Sequence, residues 1–81
     1  MTTLQKNHHD LLLDARGMNC PLPILKTRKA LKGLPTGQTL KVMTTDPGAI
    51  QDIASFCKTT GDELTAQSND EDVFNFFIRK N

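Results

Sequence analysis

The chain has no tryptophan and no tyrosine, so four phenylalanines are its only large aromatic residues. That leaves no aromatic platform on which exposed nucleobases would stack. Cysteine is also scarce: there are two, Cys20 and Cys57, with no framework spacing, which points to a reducing compartment, the cytoplasm. No apolar run approaches the length of a membrane span, and no signal-peptide apolar region is visible. Neither sign of charge dominates. Ten basic and nine acidic residues leave a net charge of +1, which gives no global case for nucleic acid, membrane or acidic partners. Repeats, low-complexity stretches and linkers are lacking. A chain of 81 residues has room for one small domain with a thin core, burying roughly 60–65% of its unfolded surface. Residues 1–9 are polar and expected as a loose tail, with both histidines, His8 and His9, exposed in it. A single domain is expected over residues 10–81.

What is present is a regular alternation of short elements. Leu11, Leu12 and Leu13 read as a strand over Asp10–Ala15, and Gly17 marks a turn. A helix is predicted over Pro21–Lys32, closed by Gly33 with Pro35 beyond. Residues Thr39–Thr45 alternate apolar and polar, the period of a strand. Asp46-Pro47 is a helix start, a carboxylate cap followed by a proline whose fixed φ suits the first turn. That helix runs to Thr60 and stops at Gly61. A short strand over Glu63–Gln67, a polar turn over Ser68–Asp72 and a last strand over Val73–Arg79 complete the pattern, with Phe74, Phe76 and Ile78 on one face. The order βαβαββ predicts an α+β two-layer sandwich, with a mixed four-stranded sheet and both helices on one face. The first crossover should be right-handed between parallel strands.

At 3.6 residues per turn, Pro23, Ile24, Thr27, Ala30, Leu31 and Leu34 form the inward stripe of the first helix. Leu22, Leu25, Lys29 and Lys32 point outward, with Lys26 and Arg28 at the flanks. This face is either an ordinary solvated basic surface with two stray leucines or a docking patch for an acidic partner. In the second helix Ala49, Ile50, Ile53, Phe56 and Cys57 share the inward stripe, so Cys57 reads as a small buried apolar residue rather than a resolving thiol.

The most specific feature is Gly17-Met18-Asn19-Cys20-Pro21-Leu22-Pro23. A cysteine at the cap of a helix feels the positive end of the backbone dipoles, which favours thiolate, the nucleophilic form. Cys20 is expected at that cap, with Pro21 and Pro23 stiffening the first turn and the Leu22 N–H as the nearest donor to the sulfur. A cysteine that merely caps is one reading, although serine or aspartate caps better. Dithiol redox chemistry would need a second cysteine where Pro23 stands. A hydrolytic pair would need a positioned histidine, and the two histidines sit in the tail. A metal site lacks soft ligands at workable spacing. A lone nucleophilic thiol suits a carrier, which accepts a group from a donor and passes it on. Asp14, at the end of the first strand, reads as a turn carboxylate rather than a chemical participant.

The run Leu13-Asp14-Ala15-Arg16-Gly17-Met18-Asn19-Cys20-Pro21-Leu22-Pro23, together with Asp46-Pro47 and the closing Phe77-Ile78-Arg79-Lys80, resembles the TusA/SirA family of small sulfur carriers over nearly everything after the tail. The resemblance implies the βαβαββ sandwich and a persulfide on Cys20. It also implies a pyridoxal-phosphate cysteine desulfurase as donor, and a further sulfur-relay protein as acceptor, serving 2-thiouridine formation in tRNA. Members are also tied to molybdenum cofactor metabolism and to sulfur oxidation. On this reading Cys20 is the acceptor, with Gly17, Pro21, Pro23 and Asp14 shaping the site. Leu22, Leu25, Lys26, Arg28, Lys29 and Lys32 form the docking set. No cofactor or metal of its own, no membrane, no direct nucleic-acid contact and a monomeric state are expected. The rival from another class is a non-catalytic module that binds a regulatory protein or RNA, in which Cys20 would be dispensable.

Overall fold

Local signals set where each element begins and ends, and strand pairing assembles them. The computed structural model describes residues 9–19 and 21–81. The readings of residues 1–8 and of Cys20 as a helix cap lie outside those residues. The elements are β1 (Leu11–Ala15), α1 (Leu22–Lys32), β2 (Thr39–Thr44), α2 (Gly48–Thr60), β3 (Glu63–Asp70) and β4 (Val73–Arg79). They form one sheet in the order β1-β2-β4-β3. β1 runs parallel to β2, with Leu11 opposite Leu40 and Ala15 opposite Thr44. β4 is antiparallel to both its neighbours, setting Val42 against Phe76 and Leu64 against Ile78. The sheet is therefore mixed, as the element order predicts.

Both helices cover the same face. Leu31 and Leu34 meet Leu40 and Val42 of β2, Phe76 and Ile78 of β4, and Ala49, Ile53, Phe56 and Cys57 of α2 in one cluster. Pro23, Thr27 and Leu31 are the buried residues of α1, the spacing the helical period predicts. The Thr27 hydroxyl is fully buried and donates to the Pro23 carbonyl at 2.7 Å, so no buried polar hydrogen is orphaned there. The far face of the sheet carries no helix among the described residues. On it Phe77 is nonetheless only 3% exposed. The Lys41 ammonium lies 5.5 Å from the Phe77 ring centre, and the His9 ring packs at 6.3 Å.

That contact corrects the expectation of an exposed His9. Its ring shelters against an apolar neighbour, and its Nδ1 is buried without a hydrogen-bond partner. Other departures lie at element ends. β3 extends to Asp70, because Asn69 and Asp70 pair with Phe74 and Val73. Cross-strand pairing outweighs the polar composition that suggested a longer turn. The connection shrinks to Glu71 and Asp72, and Glu71 takes a positive φ of 56°. Gly33 ends α1 in a right-handed conformation (φ −86°), so its left-handed freedom is unused. Gly61 does use it, at φ 86°. The chain end is tied down by Lys80, whose N–H donates to the Gln38 carbonyl and whose ammonium donates to the Leu31 carbonyl at the end of α1. A cation there also complements the negative end of the helix.

Left-handed backbone at a residue with a side chain costs roughly 1–2 kcal/mol. Glu71→Gly relieves that strain but frees the unfolded chain, so stability should rise by about 0.5 kcal/mol. An upward shift of the urea midpoint with unchanged slope is the expected result.

Candidate functional site

The motif segment leaves β1 at Ala15, turns, and enters α1. Gly17 takes φ +79° in that turn, a conformation glycine adopts without strain. The turn is fixed from three sides. The Met18 N–H donates to the Ala15 carbonyl at 3.3 Å, and the Leu22 N–H donates to the Asn19 carbonyl at 2.9 Å. The Gly17 N–H donates across the sheet end to Thr45 Oγ1 at 2.9 Å.

α1 begins one residue later than the sequence pattern predicts. Its cap position is Pro21, and Pro23 is the second helical residue. The first helical bond runs from the Leu25 N–H to the Pro21 carbonyl at 3.1 Å. Proline is as acceptable here, because the N–H it lacks would have had no partner inside the helix. The shift has one chemical consequence. The Leu22 N–H, expected as the nearest donor to the sulfur, is already taken by Asn19.

Asp14 and Arg16 lie two apart at the strand end and so project on one side. The Arg16 side chain donates twice to the Asp14 carboxylate, each bond 2.8 Å, and the Arg16 backbone N–H donates to the same carboxylate at 3.1 Å. The guanidinium hydrogen bonds, followed by that backbone bond, lower the Asp14 pKa to about 2 and raise that of Arg16. The carboxylate is charged at neutral pH and occupied by its clamp. The pair is half-exposed, so it orders the turn more than it stabilises the fold.

The residues of the docking set separate over three surfaces. Leu22 and Leu25 are 47% and 49% exposed on the outer face of α1. Arg28 turns toward α2, with its guanidinium carbon 6.0 Å from the Phe56 ring centre. It lines a groove of about 390 Å3 with Ile24, Asp52 and Phe56. Lys32 lies further along that side with Lys80 and Asp62, in a second hollow of about 320 Å3. Lys26 and Lys29 turn the other way, toward β1, where they flank Leu13 and Ala30.

The second thiol has a different environment. Cys57 is buried on the inward stripe of α2. Burial, and secondarily the nearby Asp62 charge, push its pKa up to about 11, so it is held as the neutral thiol. Among the described residues no group of three potential ligands is placed to hold a metal ion.

Thr45 and Arg16 are the residues sequence reasoning missed. The Asp14-x-Arg16 spacing carries the signal for the clamp. Nothing local flags Thr45, which reaches Gly17 only because β1 and β2 run parallel.

The chain matches the family described as Sulfurtransferase TusA over residues 11–80. It is 46% identical over 71 residues to the sulfur carrier protein TusA of Allochromatium vinosum, covering 88% of this chain and 93% of that protein. It is 42% identical to the TusA of Pseudomonas putida strain F1, covering 88% of this chain and 89% of the relative. A Bacillus subtilis protein named as a putative sulfur carrier, YrkI, is also 42% identical, over 88% of this chain and 95% of its own length. The crystal structure of a SirA-like protein from Desulfitobacterium hafniense shares the fold, with a TM-score of 0.78 at 24% identity over 86% of this chain and 96% of the other. The protein belongs to the TusA family of sulfur carriers.

Thr45→Val removes the acceptor for the Gly17 N–H. Water replaces that exposed bond, so the variant should lose no more than about 1 kcal/mol of stability. The alkylation pH profile of Cys20 should nevertheless move to higher pH as the turn loosens. In a Cys20→Ser protein, Cys57 should resist iodoacetamide at pH 8 and react only in denaturant, since a pKa near 11 leaves about one thiol in a thousand ionised at that pH. Its folded-state pKa is raised from 9.0 to about 11, so the unfolded chain releases this proton first. Stability should therefore fall as pH rises through that window, and Cys57→Ala should remove that part of the slope.

Proposed function

We propose that the protein carries sulfur as a persulfide on Cys20, receiving it from a cysteine desulfurase and passing it to a further sulfur-relay protein, with 2-thiouridine formation in tRNA as the end use. The observation that carries this reading is the Cys20-Pro21-Leu22-Pro23 motif in a TusA-family chain, following a turn that Gly17, the Thr45 hydroxyl and the Asp14–Arg16 clamp hold in one shape. Placement in the cytoplasm and a monomeric carrier accord with this role.

The chemistry is an exchange without net oxidation. The Cys20 thiolate attacks the outer sulfur of the donor's persulfide. A new sulfur–sulfur bond forms, the donor's breaks, and the donor cysteine leaves as a thiolate. Discharge repeats the step with Cys20 as the leaving group. Pyridoxal phosphate belongs to the donor, and the carrier supplies no cofactor. Gly17, Pro21 and Pro23 act by shaping the turn and the helix start, so that the thiolate is formed near the positive end of α1. Asp14 acts through Arg16 and the backbone, not on sulfur.

Leu22, Leu25 and Arg28 supply the docking contacts for the donor. Two exposed leucines anchor beside the motif, and an arginine braced on Phe56 meets partner carboxylates at close to fixed orientation. Charge of this kind raises the encounter rate more than the affinity.

Intact-protein mass spectrometry after incubation with a cysteine desulfurase, pyridoxal phosphate and cysteine tests the reading. One added sulfur atom should appear, map to Cys20, disappear with reductant and be absent in Cys20→Ser. A Cys20→Ser protein that keeps full cellular function would overturn the carrier role in favour of a binding module.

A further inference from the structure

The two edges of the sheet are built differently. The β3 edge ends in Ser68, Asn69 and Asp70, and its pairing with β4 is broken by an irregularity between Leu64 and Ala66. Polar residues and a bulge are the usual devices that stop an edge from recruiting another strand. The β1 edge has no bulge, and its one charged side chain, Asp14, is held by Arg16 at the far end of the strand. Among the described residues the edge pairs on one side only, with β2, in uninterrupted register from Leu11 to Ala15. It presents Leu11 at 41% and Leu12 at 51% exposure, one toward each face of the sheet. Beside it lies a notch of about 180 Å3, floored by Leu13 and Ala30 and flanked by Lys26 and Lys29 of α1.

We infer that the β1 edge and this notch form a strand-addition site for an extended acidic–apolar segment of a partner protein. Among the described residues the outer side of this edge pairs with no strand, and its backbone groups give affinity without regard to sequence. The notch supplies the selection. A strand laid on β1 turns every second side chain to the helix-covered face. One apolar residue there fills the notch over Leu13, and acidic residues two positions before and after it reach Lys26 and Lys29. The intervening apolar residues cover Leu12 on the open face. A second copy of this chain fits poorly, since pairing two β1 edges would bring two sets of these lysines together. The surface is separate from the Arg28–Phe56 groove on the other flank of α1. Its existence does not depend on sulfur transfer at Cys20, although an added strand would run alongside the segment that leads to that residue.

The test uses the full chain as the 15N-labelled Cys20→Ser protein, titrated with the peptide Thr-Glu-Val-Leu-Val-Glu-Thr. Shifts should concentrate at Leu11–Ala15 and at Lys26, Lys29 and Ala30, and the outward amides of β1 should gain exchange protection. Affinity should fall about tenfold in the Lys26→Glu/Lys29→Glu protein and weaken with salt. It should vanish when the peptide's central leucine is replaced by proline, which cannot donate to the ladder. The unperturbed parts of the spectrum report that each variant is folded. Absence of shifts at millimolar peptide, shifts at β3 instead, or equal binding of a peptide with lysine in place of glutamate would overturn the proposal. So would concentration-dependent dimerisation abolished by Leu12→Lys, which assigns the edge to a second copy. Sulfur loading of the wild-type chain, measured separately, distinguishes failure of this site from failure of the carrier reading.

Discussion

The parallel pairing of β1 with β2 is the constraint from which the rest of the site follows. Because the two strands point the same way, with Ala15 beside Thr44, the chain leaves both at the same end of the sheet. The turn after β1 and the turn after β2 are then neighbours, and the Gly17 N–H finds the Thr45 hydroxyl. Both helices also begin at that end, so their positive ends face the same solvent region. Antiparallel pairing would have put the motif and the Thr44-Thr45-Asp46 corner at opposite ends of the sheet. The concentration of features near the motif is thus a property of topology first and of individual side chains second.

How much of this was legible in the sequence depends on the range of the interaction. The inward stripe of α1, from Pro23 through Thr27 to Leu31, follows from helical periodicity because it is a local pattern. The same holds for Phe76 and Ile78 in β4 and for Ala49, Ile53, Phe56 and Cys57 in α2. Phe77 was not legible. A strand residue opposite the core face is expected to meet water, yet the Lys41 stem and the His9 ring shelter it. The full length of β3 was hidden for a related reason, since its polar end is held by β4 rather than by its own propensity. At the site, the motif announced itself, but the start of α1 lay one residue later. That single step changed which backbone donor is free, with the Leu22 N–H bound to Asn19. Helix ends are decided by turn geometry that composition only approximates. The docking set was legible as a group of residues but not as three surfaces, because only the positions of β1 and α2 tell which flank of α1 faces which neighbour.

Cys57 illustrates how placement governs reactivity. Cys57 sits among apolar side chains, where burial and a nearby carboxylate favour the protonated form. It is protected by the same core that stabilises the protein, so a second reactive thiol inside the fold is not on offer. On the proposed reading, a sulfur held at Cys20 finds no resolving thiol in Cys57 and leaves to an external nucleophile. That property separates a carrier from a dithiol oxidoreductase, which closes its own disulfide.

The tie between Gly17 and Thr45 also has a meaning in time. Of the three strand pairings among the described residues, only β3 with β4 joins neighbours in sequence. The pairing of β1 with β2 closes across α1, and that of β2 with β4 closes across α2 and β3. Closures over such distances come late, since chain entropy must be overcome before contacts compensate. The Asp14–Arg16 clamp spans two residues and can form in a nascent chain, whereas the Thr45 anchor forms only after the first crossover has docked. The shape of the turn before the cysteine is accordingly a late product of folding, so a chain still assembling its sheet does not yet hold that turn in its final form.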